Sequence, residues 1–182
     1  MDQVSLDIPV TADAAIVWHD DQLYLLDQRV LPGREVFIRC TDAASTADAI
    51  RAMVVRGAPA IGIAAAYGVA AAARERYAQS PTDWRPTLAA DLHTLAGSRP
   101  TAVNLRWALE EVVRTVVPLP EGDRARAAWD RAAQICDDDV EICRRIGVHG
   151  LSELRAFAAH KSGERVNVLT HCNAGWLATV DW

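Results

Sequence analysis

The sequence lacks the excess of basic residues that a general nucleic-acid-binding surface requires. Lysine and arginine number 19 and aspartate and glutamate 24, which gives a formal net charge of -5 at pH 7. Because the phosphate backbone has to be neutralised by a positively charged face, this balance argues against nucleic acid as a partner. A local site for a small anion remains compatible with it.

Long apolar runs are absent as well. The most apolar stretch, Gly57 to Ala73, is rich in alanine and glycine and falls short of the roughly 18–20 apolar residues that span a bilayer. The N-terminus begins Met1-Asp2-Gln3, without a basic segment followed by an apolar one, so no secretory signal is expected. We therefore expect no association with a membrane.

Cysteine is scarce, and its spacing carries no metal or disulfide signature. The four cysteines form no C-x-x-C pair and no zinc-ligand spacing; they are Cys40, Cys136, Cys143 and Cys172. A reducing cytoplasm is the simplest compartment, and no metal or organic cofactor is implied. Cys136 and Cys143 are seven residues apart, which predicts two small core residues on one helix face.

What is present is the composition of a globular protein, with 51% hydrophobic and 24% charged residues. Residues 1–42 predict a small antiparallel sheet. Two apolar runs, Ala14–Trp18 and Leu23–Asp27, flank a polar four-residue loop and predict a hairpin, and Val36–Cys40 predicts a third strand.

Residues 43–161 predict a bundle of five or six helices in the same domain. Ser45 is the expected N-cap of the first helix, which should continue to about Val55. The last helical stretch is expected to break at a glycine joint. The remaining predicted landmarks are a helix start at Pro59, a leucine stripe at Leu88–Leu95, an N-cap at Thr101, a long helix at Gly122–Ile146, the joint Gly147–Gly150 and a short helix at Leu151–Ala159.

Two helix N-termini in this bundle are each preceded by an arginine. Arg56, Gly57 and Ala58 lead into the helix at Pro59, and Arg99 precedes the helix that Thr101 caps. Free N–H groups and the helix dipole attract anions at such ends, and an arginine can donate two hydrogen bonds to one phosphate. The plainer interpretation of the first stretch is a buried alanine-rich helix.

Residues 162–182 have a different composition and predict the start of an α/β unit. Arg165–Thr170 has the pattern of a strand, and His171-Cys172-Asn173-Ala174-Gly175 follows it directly. Ligands bind beyond the carboxyl ends of strands in such sheets, so Cys172 is a candidate reactive thiol, with a buried inert thiol as the alternative. His171 would point to the opposite face and is expected to be structural.

The acidic run Asp137-Asp138-Asp139 interrupts the apolar stripe of the long predicted helix. A solvated face is the expected interpretation, with a subunit contact or a helix break as alternatives. The whole pattern predicts an α+β fold. A small N-terminal antiparallel sheet and a helical bundle would be followed by the first strand of a truncated Rossmann-like domain.

Three blocks resemble the S-methyl-5-thioribose-1-phosphate isomerase family of methionine salvage. They are V-R-G-A-P-A-I-G at Val55–Gly62, S-R-P-T-A-V-N-L at Ser98–Leu105 and L-T-H-C-N-A-G at Leu169–Gly175, and they occur in the family's order. The wider superfamily includes ribose-1,5-bisphosphate isomerases and regulatory subunits of the translation initiation exchange factor.

The resemblance implies that Arg56, Gly57, Ala58 and Arg99 bind a sugar phosphate and that Cys172 is the catalytic thiol. It also implies a cytoplasmic homodimer that converts an aldose to a ketose, through an enediol or a hydride shift. The family has a C-terminal Rossmann-like domain with a catalytic Asp that has no counterpart here, so we expect an N-terminal portion with little turnover alone. The alternatives are a non-catalytic phosphosugar-binding or assembly module, and a different sugar, deoxyribose 1-phosphate or ribose bisphosphate.

Overall fold

The computed structural model describes residues 3–4, 15–82, 85–161, 163 and 165–181. Its sheet has four antiparallel strands in the order β1-β4-β3-β2. The strands are β1 (Gln3–Val4), β2 (Ile16–His19), β3 (Gln22–Leu26) and β4 (Phe37–Cys40). The predicted three-stranded N-terminal sheet is confirmed, with the two-residue β1 added at its edge.

The predicted hairpin is formed by β2 and β3, with a shorter loop than expected. His19 pairs with Gln22, which leaves only Asp20 and Asp21 in the turn. These two residues have φ values of 47° and 60°, as a two-residue turn matched to the twist of a hairpin requires. The expected four-residue loop was wrong because its outer two residues join the ladder.

Helix α1 (Ala43–Arg51) begins at a reciprocal cap formed by Asp42 and Ser45. The Ser45 N–H donates to Asp42 Oδ1 at 2.7 Å, and the Asp42 N–H donates to Ser45 Oγ at 3.2 Å. The predicted N-cap at Ser45 was therefore wrong by three residues. A residue with two oxygens on a short side chain precedes the helix and takes that role.

The end of α1 also differs from the prediction. Met53 has a φ of 59°, and the Val54 N–H donates to the Ala49 carbonyl at 2.9 Å, which closes the helix in a Schellman turn. The helix thus ends at Arg51 instead of Val55. Arg56 consequently lies in a connecting segment and not on the end of α1.

Helix α2 (Ala58–Gln79) is the centre of the molecule, and Pro59 lies in its first turn as predicted. Every residue from Ala60 to Ala73 is buried, so the helix is enclosed on all sides. Its small side chains let the neighbouring helices approach closely. Those neighbours include α1, α3 (Arg85–Ala96), α4 (Val103–Val116) and α5 (Glu121–Ala159).

Helix α5 runs without interruption for 39 residues. The predicted joint at Gly147 and Gly150 was wrong, and the two predicted helices are one. A glycine in a helix interior costs only about 1 kcal/mol relative to alanine, which does not stop a long helix that has no internal proline. Beyond Asp139 the helix carries exposed apolar side chains: Ile142, Ile146, Val148, Leu151, Leu154 and Phe157.

The C-terminal segment forms no strand among its described residues. Arg165 to His171 is irregular, and only Trp176–Ala178 forms a short 3₁₀ turn. The predicted strand at Arg165–Thr170 was wrong for this structure, since the described residues include no neighbouring strand to share its backbone hydrogen bonds. The α+β class is confirmed. Within the described ranges, no helix has both the length and the apolarity needed to cross a bilayer.

Candidate functional site

The start of α2 is covered by the C-terminal segment. Gly57 is the N-cap of α2 and has a φ of 95°. A Cβ on Gly57 would lie 2.4 Å from Ala178 Cα and 2.6 Å from the Ala178 carbonyl oxygen. Only glycine therefore allows both this backbone conformation and this close approach. The 3₁₀ turn is thereby placed directly on the N-terminal end of α2.

The start of α4 packs against the same end of α2. A Cβ on Gly62 would lie 2.9 Å from the Asn104 carbonyl oxygen, so the two backbones are in close contact. The N-caps are Gly57 for α2 and Ala102 for α4, and neither side chain has an acceptor to cap the first-turn N–H groups. Two helix N-termini thus bring partial positive charge to one region, which favours an anion.

The two predicted phosphate-binding arginines lie in the segments that lead into these helices. Arg56 is exposed and follows Val54 and Val55, both fully buried. Arg99 is half-buried, and its carbonyl oxygen accepts a hydrogen bond from the Ala102 N–H at 2.9 Å. The structure therefore brings together the two helix ends that these arginines precede, while the contact of either guanidinium with a ligand stays a prediction.

Cys172 lies in a loop that we call the thiol loop, residues 171–175. Cys172 has a φ of 64° and is exposed, so the alternative of a buried thiol is wrong. His171 is exposed as well, and the strand alternation from which its orientation was predicted is absent. The loop leads through Gly175 into the 3₁₀ turn on Gly57. Only a few residues of chain therefore separate Cys172 from the turn that contacts the N-terminus of α2.

The 3₁₀ turn is anchored to the sheet as well as to α2. Gln28 Nε2 donates to the Leu177 carbonyl at 2.7 Å, and the Gln28 N–H donates to the Val54 carbonyl at 3.0 Å. Trp176 and Leu177 pack against a small apolar cluster that includes Tyr24, Leu26 and Phe37. Gln28 thus ties the chain just before Arg56 to the chain just after the thiol loop. Sequence reasoning did not single out this residue.

The other three free cysteines are less exposed than Cys172. Burial raises the pKa of Cys40 to about 12 and that of Cys136 to about 11, and it also raises the pKa of Cys143. All three are therefore protonated at neutral pH and poorly nucleophilic. Cys136 packs against the hydrophobic core as predicted. The predicted core position of Cys143 was wrong, because this half-buried residue lies where its neighbours on α5 are exposed.

The acidic run on α5 is only partly a solvated face. Asp137 and Asp138 are exposed as predicted, but Asp139 is half-buried, and its Oδ2 is buried without a hydrogen-bond partner among the described residues. This burial raises the pKa of Asp139. The expectation was wrong for Asp139 because it lies four residues after Ile135, on the inward face of the helix. That spacing was the signal in the sequence.

A second buried polar group, on the thiol loop, also lacks a partner among the described residues. Asn173 Nδ2, next to Cys172, is buried and has no hydrogen-bond partner in the described part of the chain. Most buried polar groups in proteins are hydrogen-bonded, so such exceptions mark places where function has to be considered. Sequence reasoning did not identify Asn173, and a single Asn in a loop offers no pattern that would have done so.

One cavity lies apart from these residues. It has a volume of about 600 Å³, lies between the hairpin and α5, and includes Trp18, Asp21, Arg74 and Trp129 in its lining. Arg74 pairs with Asp21 at 3.2 Å and lies over the Trp18 ring. Its polar groups are thus already engaged with one another, and none of the predicted site residues lines it.

A comparison with known protein families identifies the family of this chain. Residues 54–180 match the Initiation factor 2 subunit family, IF-2B. The chain belongs to this family. The matched range contains all five predicted site residues, which are Arg56, Gly57, Ala58, Arg99 and Cys172.

Relatives with about half of their aligned residues identical to this chain include proteins named as an enzyme. A protein of Cereibacter sphaeroides named methylthioribose-1-phosphate isomerase is 53% identical over 161 residues, which cover 88% of this chain and 42% of that protein. The family resemblance seen in the three sequence blocks is thus confirmed. The chain spans less than half the length of this relative.

Two solved structures have the same fold over nearly the whole chain. The 5-methylthioribose 1-phosphate isomerase of Pyrococcus horikoshii aligns with a TM-score of 0.77 and 34% identity, over 92% of this chain and 46% of that one. A structure titled translation initiation factor eIF-2B, subunit delta, from A. fulgidus aligns with a TM-score of 0.71 and 38% identity, over 93% and 47%. The chain is thus similar both to a protein titled as an enzyme and to one titled as a translation factor.

Proposed function

We propose that this chain contributes to an aldose–ketose isomerase that converts S-methyl-5-thioribose 1-phosphate to S-methyl-5-thioribulose 1-phosphate in methionine salvage. The isomerase names of the relatives support this substrate. The observation that carries the proposal is the meeting of two uncapped helix N-termini beneath the segment that bears an exposed thiol. These are the parts that a sugar phosphate and its isomerisation require.

The phosphate is bound at the N-termini of α2 and α4 in this proposal. Backbone N–H groups at Gly57 and Ala58 face the anion, and Arg56 and Arg99 donate charged hydrogen bonds from either side. The close contact of Gly62 with Asn104 fixes the two helix ends relative to each other, so a rigid cradle needs little ordering when the ligand binds.

Cys172 is the catalytic thiol in this proposal. The C1 oxygen of the substrate is esterified, so an acid has to assist opening of the furanose ring before hydrogen moves from C2 to C1. Cys172 then serves either as an acid/base in an enediol route or as a polar stabiliser in a hydride shift. The ring-opening Asp belongs, by the family resemblance, to a C-terminal Rossmann-like part whose first segment would be residues 162–182.

The assembly state and location form part of the same proposal. We expect a cytoplasmic homodimer, and light scattering should give twice the mass of one chain. The exposed apolar side chains of Ile146, Leu154 and Phe157 on α5 support association. The four free thiols support a reducing compartment.

The test uses calorimetry and turnover on the 182-residue chain. We expect S-methyl-5-thioribose 1-phosphate to bind, and Arg99→Ala to weaken binding about tenfold or more, since it removes a charged hydrogen bond. Arg114→Ala, at the other end of α4, is the matched control and should leave binding unchanged. Turnover should be little or none, because each general acid–base group contributes about 10²- to 10⁴-fold and one is supplied from elsewhere.

Two outcomes would contradict parts of the proposed function. If the sugar phosphate does not bind at all, the proposed substrate is wrong. If the chain turns over rapidly and Cys172→Ala abolishes that activity, the dependence on a C-terminal part is wrong.

A non-catalytic module is the second candidate function. The likeness to the protein titled eIF-2B subunit delta favours it, since the fold similarity covers the same part of the chain. Such a module would bind a phosphorylated ligand or a protein partner without chemistry at the thiol. Adding the C-terminal half of the C. sphaeroides relative discriminates between the two. An isomerase should gain turnover that requires Cys172, whereas a module should gain none.

A further inference from the structure

Gln28 makes hydrogen bonds to two segments that lie far apart in the sequence. Its backbone N–H donates to the Val54 carbonyl at 3.0 Å, and Val54 lies just before Arg56. Its side-chain Nε2 donates to the Leu177 carbonyl at 2.7 Å, and Leu177 lies a short way after Cys172. A single residue is therefore bonded both to the chain that leads into α2 and to the chain that follows the thiol loop.

The chain around Gln28 is fixed at the end of β3. The Asp27 side chain is fully buried, and its carboxylate accepts hydrogen bonds from the Arg29 backbone N–H at 3.1 Å and from Arg29 Nε and Nη2 at 2.7 and 2.6 Å. The Asp27 N–H in turn donates to the Val36 carbonyl at 2.9 Å. The Gln28 amide therefore extends from a rigid part of the sheet, as the support of a functional group requires.

The carbonyl that Gln28 binds belongs to the 3₁₀ turn on Gly57. Leu177 directly precedes Ala178, whose carbonyl oxygen would lie 2.6 Å from a Cβ on Gly57. Within the turn, the Ala178 N–H donates to the Gly175 carbonyl at 2.8 Å. This internal bond shapes the turn but does not attach it to the rest of the chain, whereas the bond from Gln28 joins it to the sheet.

We propose that Gln28 is a positioning residue for Cys172. Its side-chain bond to Leu177 holds the 3₁₀ turn on Gly57 and thereby keeps the thiol loop beside a sugar phosphate bound at the N-termini of α2 and α4. Gln28 itself does not touch the substrate. This inference rests on the proposed function, because it treats Cys172 as the working thiol and the sugar phosphate as the ligand beside it.

The strength of one hydrogen bond sets the size of the expected effect. Loss of a neutral hydrogen bond should raise the population of the displaced turn about two- to tenfold. The apolar contacts of Trp176 and Leu177 remain, so the seated turn still predominates and the affinity for the ligand changes little. Alkylation of the thiol in the ligand-bound chain proceeds from the displaced population, so its rate should rise by the same factor.

The test measures how fast iodoacetamide alkylates Cys172, by mass spectrometry of the tryptic peptide, with and without saturating S-methyl-5-thioribose 1-phosphate. Calorimetry of the same samples records binding. The ligand should slow alkylation of the wild-type chain. Gln28→Met keeps the length of the side chain but removes the donor, and it should speed alkylation of the bound chain about two- to tenfold. The rate without ligand should not change, because Cys172 is already exposed.

Two further variants and a matched control separate the hydrogen bond from side-chain packing. Gln28→Lys restores a donor for the Leu177 carbonyl and should return the bound rate close to that of the wild-type chain. Gln28→Glu offers only acceptors when ionised and should be at least as fast as Gln28→Met. Gln134→Met removes an exposed glutamine of α5 that donates to Asp138, and it should leave both rates unchanged.

Three results would overturn the inference: a ligand that binds without protecting Cys172 in the wild-type chain, an unchanged bound rate in Gln28→Met, or a Gln28→Lys variant as fast as Gln28→Met. Absence of binding contradicts the proposed substrate and the inference together. Since calorimetry detects binding independently of the thiol, the two failures are distinguishable.

Discussion

Helix α2 and the second half of α5 differ in where their apolar side chains lie, since those of α2 are buried and many of those of α5 are exposed. All residues of α2 from Ala60 to Ala73 are buried, although most of them are small. The second half of α5 carries larger apolar side chains, yet Ile146 is 65% exposed and Phe157 54% exposed. The comparison teaches that burial follows from the number of neighbouring elements and not from the size of the side chains.

The candidate site combines one end of the buried helix α2 with an exposed loop. The end of α2 that carries Gly57 is fixed by α4 and by the 3₁₀ turn. The exposed Cys172 lies in the loop that leads into this turn. A rigid anion cradle and a more exposed reactive group are thus placed side by side, as binding and chemistry respectively require.

The largest effect that tests this contrast is expected in the core. Leu95 is completely buried between α2 and its neighbours, whereas Val148 on α5 is 54% exposed. Leu95→Ala should lower the free energy of unfolding by about 2–5 kcal/mol, because it removes buried methyl groups and leaves a cavity. Val148→Ala should change it by no more than about 0.5 kcal/mol. Urea unfolding measures both, and similar losses in the two variants would refute the contrast.

Glycine substitutions should give smaller effects of opposite sign in the two helices. Gly57→Ala forces a Cβ into Ala178 at a positive φ and should destabilise by about 1–3 kcal/mol. Gly147→Ala has nothing within 4 Å of the new Cβ and should stabilise α5 by about 0.5–1 kcal/mol.

The same Gly57→Ala variant should loosen the 3₁₀ turn, which limited chymotryptic cleavage after Trp176 would report. Wild-type rates of cleavage in that variant would mean that the turn is not seated on Gly57.

How much the sequence predicts depends on whether a signal is local. The hairpin follows from its turn residues and is as predicted except for its shorter loop, and the start of α2 follows from Pro59 in its first turn. The glycine joint in α5 was wrong because a glycine only weakens a helix, and the sequence offers no stronger break there. The strand at Arg165–Thr170 was wrong because strand formation needs a neighbour that local patterning does not reveal.

The candidate site likewise has features that local signals predict and tertiary contacts that they do not. Arg56, Gly57 and Arg99 stand beside helix ends that local signals predict, and the exposure of Cys172 fits its position in a loop. The close approaches of Ala178 to Gly57 and of Asn104 to Gly62 are tertiary contacts without a local pattern. To predict that Asp139 is half-buried, the helical period has to be continued through an acidic run, where charge alone indicates exposure to solvent.

The smallest predicted effect concerns that carboxylate and depends on pH. Burial raises the pKa of Asp139 above its ordinary value of 3.8, so the folded state binds a proton more readily than the unfolded state. Stability from this group is therefore lost as pH rises from about 4 towards neutrality.

Asp139→Asn keeps the size and removes the charge, and it should stabilise the ligand-free protein at pH 7 by less than about 1 kcal/mol, with little or no gain near pH 4. Urea unfolding at both pH values is the measurement, with the exposed Asp138→Asn as control. An equal gain at both pH values would show that the buried charge is not its source.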